Sequence, residues 1–115
     1  MSSKLAQKEE VVAALNGVKA KLESPDLQPS FSDFTKTMQF SFPDLNTSYL
    51  FRIENGVLKE LSESSIEKPD ILVTSNSDIL LAIMNRKMGA MSAYTTGKLK
   101  VRGSMRDLLK LQKLM

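Results

Sequence analysis

Ser65-Ile66-Glu67-Lys68 has the spacing S-x-x-K, in which a lysine one helical turn beyond a serine can accept the hydroxyl proton and leave a nucleophile. Pro69 follows directly and disfavours helix there, and the partner elements of that enzyme class are absent. Gly97-Lys98 has the last step of a phosphate-binding loop, but the G-x-x-x-x-G-K-[ST] spacing fails and the segment leads into a strand pattern. The sequence has no histidine and no cysteine, which removes the commonest general base, thiolate nucleophiles, disulfides and the usual zinc ligands. Its carboxylates are scattered, with no pair whose spacing argues for acid and base work. The residues therefore favour no enzyme, and no cofactor or metal is expected.

The most regular pattern is Lys98-Leu99-Lys100-Val101-Arg102, which places cations on one parity and aliphatic side chains on the other. Charge is distributed unevenly. Residues 1–85 carry 8 Lys+Arg against 12 Asp+Glu, whereas residues 86–115 carry 8 against Asp107 alone, a net +7 in a chain of net +3. A cationic third suggests an anionic partner such as a lipid head group or membrane surface, or else a solvated face folded beside the acidic part. Tyr94 is the only ring near the basic stretch, where strand-based single-strand binders use several stacking platforms, so the pattern argues against nucleic acid.

At 115 residues, 42% hydrophobic and 25% charged, the chain has the size and composition of one soluble globular domain. Ser3 is placed to cap a first helix whose Val11, Leu15, Val18 and Leu22 form one stripe, ended by Pro25; Pro25–Ser30 reads as a loop. From Phe34 the period becomes two through Met38, Phe40 and Phe42, then Pro43–Asn46 turns and Tyr49, Phe51 and Ile53 alternate in a second strand. Asn55-Gly56 predicts a type I′ hairpin into an antiparallel strand over residues 57–62, with a solvated loop at 63–68. Ile71-Leu72-Val73 is a fourth strand. Ser75 and Asp78 have capping-box spacing before a helix with Leu80, Ile83, Met84 and Met88 on one stripe, terminated by Gly89. A short helical turn over residues 90–96 precedes the alternating strand, and Ser104 caps a last helix over residues 105–115.

That last helix carries more apolar surface than one stripe needs: Met105, Leu108, Leu109, Leu111 and Met115 fill a broad arc, and Leu114 lies beyond it. Such an arc closes a core, covers a bound apolar ligand, or docks a partner domain or a second copy. Met84, Met88, Met91, Met105 and Met115 all fall in the final third, and flexible thioethers suit a cavity that accepts irregular apolar shapes.

The stretch KMGAMSAYTTGKLKVRGSM, Lys87 to Met105, resembles the signature of the sterol carrier protein type 2 family: Lys-Met, an Ala-aromatic pair, Gly-Lys-Leu-Lys-aliphatic, Gly, a small polar residue and Met. The hairpin at Asn55-Gly56 and the strand and capped helix of PDILVTSNSD fall in the family's order. Ser104 replaces the family's frequent Asp or Asn, Gly89-Ala90-Met91 replaces a proline after Lys-Met, and Lys113-Leu114-Met115 does not match a peroxisomal address. The resemblance implies an α+β fold, a five-stranded, largely antiparallel sheet covered on one face by helices, with a hydrophobic tunnel that binds and transfers sterols, fatty acids, acyl-CoA or phospholipids without catalysis. On it, Phe40, Phe51, Leu80, Met84, Met91, Tyr94, Leu99, Val101, Met105, Leu108 and Leu109 are expected to line the tunnel, with Leu99 and Val101 facing the covered side and Lys98, Lys100 and Arg102 facing water. The alternative is an interaction or dimerisation module whose cavity is filled by its own side chains. With no secretory signal or membrane-length apolar run, a cytoplasmic location is expected.

Overall fold

The computed structural model describes residues 4–115. Helix α1 (Lys4–Leu22) buries Val11, Leu15, Val18 and Leu22 completely, the stripe that the spacing predicts. Ser3, its expected cap, lies outside the described residues. Strands β1 (Lys36–Phe42), β2 (Thr47–Glu54), β3 (Val57–Ser62), β4 (Ile71–Ser75) and β5 (Leu99–Arg102) form one sheet in the order β3-β2-β1-β4-β5. The β1–β4 pairing is parallel and the other three are antiparallel, so the sheet is mixed but mostly antiparallel. Helices α3 (Ser77–Met84), α4 (Ala90–Thr95) and α5 (Met105–Leu114) complete the α+β fold, with a helical turn α2 (Gln28–Phe31).

Register puts the aromatic positions on one face. Met38 faces Phe51 and Ile71 across its two neighbours, and Phe40 faces Tyr49 and Val73, which in turn faces Val101. The Phe40 and Phe51 rings meet at 5.5 Å between centroids with their planes tilted by 54°. At the β2–β3 hairpin Asn55 and Gly56 take φ of 51° and 78°, as a type I′ turn requires. A Cβ on Gly56 would lie 2.4 Å from the Phe31 carbonyl oxygen, so this glycine also permits α2 to close over the hairpin.

Several boundaries differ from the sequence reading. The expected loop at residues 25–30 contains the start of α2, because Pro29 fits a helix's first turn, where its missing N–H costs nothing. Phe34 precedes β1; its N–H closes a turn onto the Phe31 carbonyl at 2.9 Å. The 63–68 segment is not merely solvated, since the Ile66 N–H donates to Gln39 Oε1 at 2.9 Å across the back of the sheet. Ser75 belongs to β4 and does not cap α3. Instead Asp44, from the turn after β1, accepts from the Ser77 N–H at 2.9 Å and from the Ser77 hydroxyl. Helix α3 ends at Met84, before Met88 and Gly89, in a Schellman arrangement. Arg86 sits at φ 60°, its N–H bonds the Ile83 carbonyl at 3.1 Å and the Lys87 N–H bonds the Ala82 carbonyl at 2.8 Å. Gly89 then starts α4 rather than ending α3.

Candidate functional site

Between α4, β5 and α5 lies an open apolar groove of about 190 Å3. Its floor is Leu99 and Val101, which the pleat of β5 turns toward the covered face while Lys98, Lys100 and Arg102 point to solvent. Gly97, at φ 80°, reverses the chain from α4 into this strand, and the Lys98 N–H holds the junction on the Ala93 carbonyl at 2.9 Å. Ala90, Met91 and Tyr94 of α4 form one wall. Met105, Leu108, Leu109, Leu111 and Gln112 of α5, with Met115, form the other.

The α5 wall is placed by contacts on its opposite side. Ser104 caps the helix, its hydroxyl accepting from the Asp107 N–H at 3.1 Å. Leu111 and Leu114 are buried in the core, and buried Asp107 lies 3.7 Å from Lys36 at the start of β1. Lys110 donates to the Ser30 carbonyl and stands 5.0 Å from the Phe31 ring centroid and 5.7 Å from that of Phe34, a cation–π contact that pins the middle of α5 to α2. The helix thus closes the core with one face and borders the groove with the next.

Of the expected lining residues, Met91, Tyr94, Leu99, Val101, Met105, Leu108 and Leu109 border the groove. Phe40, Phe51 and Leu80 do not; all three are fully buried in the closed core, where the interior strands β1 and β2 share one apolar cluster with α1 and α3. Met84 also lies away from it, packed on the core near Gly17 of α1. Ala90, Leu111, Gln112 and Met115 were absent from the expected set. Helical spacing could have found Gln112, at i+4 from Leu108, but its polarity hid it. Gln112 and the Tyr94 hydroxyl are the polar side-chain groups of an otherwise hydrocarbon surface.

The groove is an open cleft rather than an enclosed tunnel. An engineered apolar cavity of about 150 Å3 holds a benzene ring, and pockets for larger ligands start near ~300 Å3. At about 190 Å3 the groove takes a short stretch of hydrocarbon. A longer ligand must leave by the open side or displace Met91, Met105 or Leu109.

Other clusters offer less chemistry. Ser65 and Lys68 lie in an irregular segment with no helical turn to bring them together. Among the described residues no group of three or more His, Cys, Asp or Glu could hold a metal, and no helix is long and apolar enough to cross a membrane. Lys8, Glu63 and Thr47 form a polar knot: Glu63 accepts from Lys8 at 2.8 Å and from Thr47 at 2.6 Å. Those bonds, the one from Lys8 first, hold the Glu63 carboxyl below its usual range, and the same contact raises the Lys8 ammonium. Nearby Tyr49 is pushed up, chiefly by burial.

The sequence model of the SCP-2 sterol transfer family matches residues 7–115. Sterol carrier protein 2 of Rattus norvegicus is 37% identical over 67 residues, covering 58% of this chain and 12% of the rat protein's length. A sterol carrier protein 2-like 2 from Aedes aegypti superposes with a TM-score of 0.71 at 16% identity, covering 94% of this chain and 98% of that one. The palmitated form of that mosquito protein, at the same 16% identity, gives 0.67 over 88% and 89%. A stereoselective inverting sec-alkylsulfatase from Pseudomonas sp. contains a similar domain, with a TM-score of 0.64 and 25% identity over 76% of this chain and 14% of the enzyme.

Proposed function

Since the chain belongs to the SCP-2 sterol transfer family, a family of lipid-carrier domains, we propose that the groove between α4, β5 and α5 holds the apolar chain of a lipid for transfer, without catalysing a reaction. The observation that carries this reading is the lining itself: apolar side chains from three separate elements converge on a space that they leave unfilled. Palmitate carried by the mosquito relative supports a single acyl chain as the occupant.

Desolvation drives the binding. Each buried methylene contributes about 0.8 kcal/mol, so about six of them give roughly 5 kcal/mol, near-millimolar affinity before the cost of association. Micromolar binding needs at least about ten. The groove must therefore widen around a long chain, and Met91, Met105 and Leu109, all exposed on its rim, are the side chains able to move.

Leu108 borders the groove midway along α5 and is only half buried. Leu108→Asp is expected to lower affinity for a fluorescent fatty acid at least about a hundredfold, since a carboxylate in that hydrocarbon surface costs several kcal/mol. Circular dichroism should stay unchanged. Unaltered affinity would remove the groove from the account.

A further inference from the structure

The large apolar side chains that the described residues expose are not scattered. Met91, Tyr94, Met105 and Leu109, between 44% and 71% exposed, all stand on the rim of the groove, and among the described residues only Val12 and Val57 expose comparable surface elsewhere. Solvent-facing cations border the same rim. On α5, Arg106 and Lys113 lie three residues before and four after Leu109, which makes them its neighbours on the helix surface. Among the described residues neither takes part in an ion pair. Lys98 follows the turn from Tyr94, and Arg102 precedes Met105 by three residues, both exposed. Apolar tips ringed by unpaired cations complement a bilayer surface, where the tips enter the acyl boundary and the cations meet anionic head groups.

We propose that the mouth of the groove docks on an anionic lipid membrane, with Met105 and Leu109 inserted and Arg106 and Lys113 on the head groups. This rests on the reading of the groove as an acyl-chain site and names the surface that loads it. A chain could then pass from bilayer to groove without crossing water.

Co-sedimentation of the full chain with phosphatidylcholine vesicles, with and without phosphatidylglycerol, tests this. Binding should require the anionic lipid and weaken with salt. Reversing both charges in Arg106→Glu/Lys113→Glu should lower partitioning at least about tenfold and leave affinity for a fluorescent fatty acid in solution unchanged, since both stand outside the rim and neither lines the groove itself. Reversing two exposed cations remote from it, Lys19→Glu/Lys59→Glu, should change partitioning far less. Equal losses in the two double variants, or no binding to anionic vesicles while fatty acid still binds, would overturn the docking surface alone. Failure of the unaltered chain to bind fatty acid would instead sink the groove reading. Two further results would overturn the proposal: tighter binding to an oligodeoxythymidine than to anionic vesicles, or a dimer in sedimentation velocity that Leu109→Asp dissolves.

Discussion

Gly56 is fixed by two independent demands, a φ of 78° and a Phe31 carbonyl oxygen 2.4 Å from where a Cβ would sit. The left-handed conformation alone costs an ordinary residue about 1–2 kcal/mol, and the backbone contact adds to it because no flexible side chain can yield. Gly56→Ala is expected to destabilise the fold by at least about 2 kcal/mol in urea unfolding. The Asn55-Gly56 hairpin was legible because its chemistry is local. Arg86 was not: nothing in its side chain favours φ 60°, and the stop to α3 comes from two hydrogen bonds onto Ala82 and Ile83. Glu63 gives a pH signature. A carboxyl held below its usual value stabilises the fold above the ordinary value of 4.5, and that contribution disappears as pH falls through the lowered one. Its partner Lys8, raised from 10.5, contributes below that value and loses its part as pH rises past the raised one. Both groups lie at the surface, Glu63 the more exposed, so the effect is small; Glu63→Gln should flatten the acid limb of stability as pH falls below 4.5 without altering the neutral plateau.

Helix α3 shows how far an element can depend on residues distant in sequence. Its first turn is capped by Asp44, 33 positions earlier, through the Ser77 N–H and hydroxyl, and the Ser77 hydroxyl also accepts from Gln7 of α1 at 2.9 Å. Asp44→Ala is expected to cost about 1–3 kcal/mol, because buried Ser77 loses both bonds, whereas Ser75→Ala should be nearly neutral. Thermal unfolding of the two variants separates them. The capping box expected at Ser75 and Asp78 was a sound local pattern that a tertiary contact displaced. Helix α5 was read more completely, since its Ser104 cap is local. Its docking through Lys110 onto Phe31 and Phe34 joins residues far apart in the chain and left no periodic trace.

Across the whole molecule, sheet order separates core from groove. Alternation marked Phe40 and Phe51 as inward-facing, but only the order β3-β2-β1-β4-β5 reveals that their strands are central while Leu99 and Val101 ride an edge. Inward at the centre means sealed in the core cluster shared with α1 and α3; inward at the edge means facing α4 and α5 across an open cleft. This is why Leu99 and Val101 border the groove, whereas Phe40 and Phe51, which alternation marks in the same way, lie in the core. An acyl chain lying in this edge cleft would touch residues of α4, β5 and α5 and leave the central strands undisturbed. Titrating palmitate into isotope-labelled protein and following amide and methyl resonances tests it most directly. Shifts are expected to concentrate in residues 90–115, with the Leu108 and Met105 methyls among the largest and Phe40 and Phe51 little moved. Saturating palmitate that leaves residues 90–115 unshifted, or shifts instead the polar cleft around Ser41, Ser48 and Glu63, would contradict it.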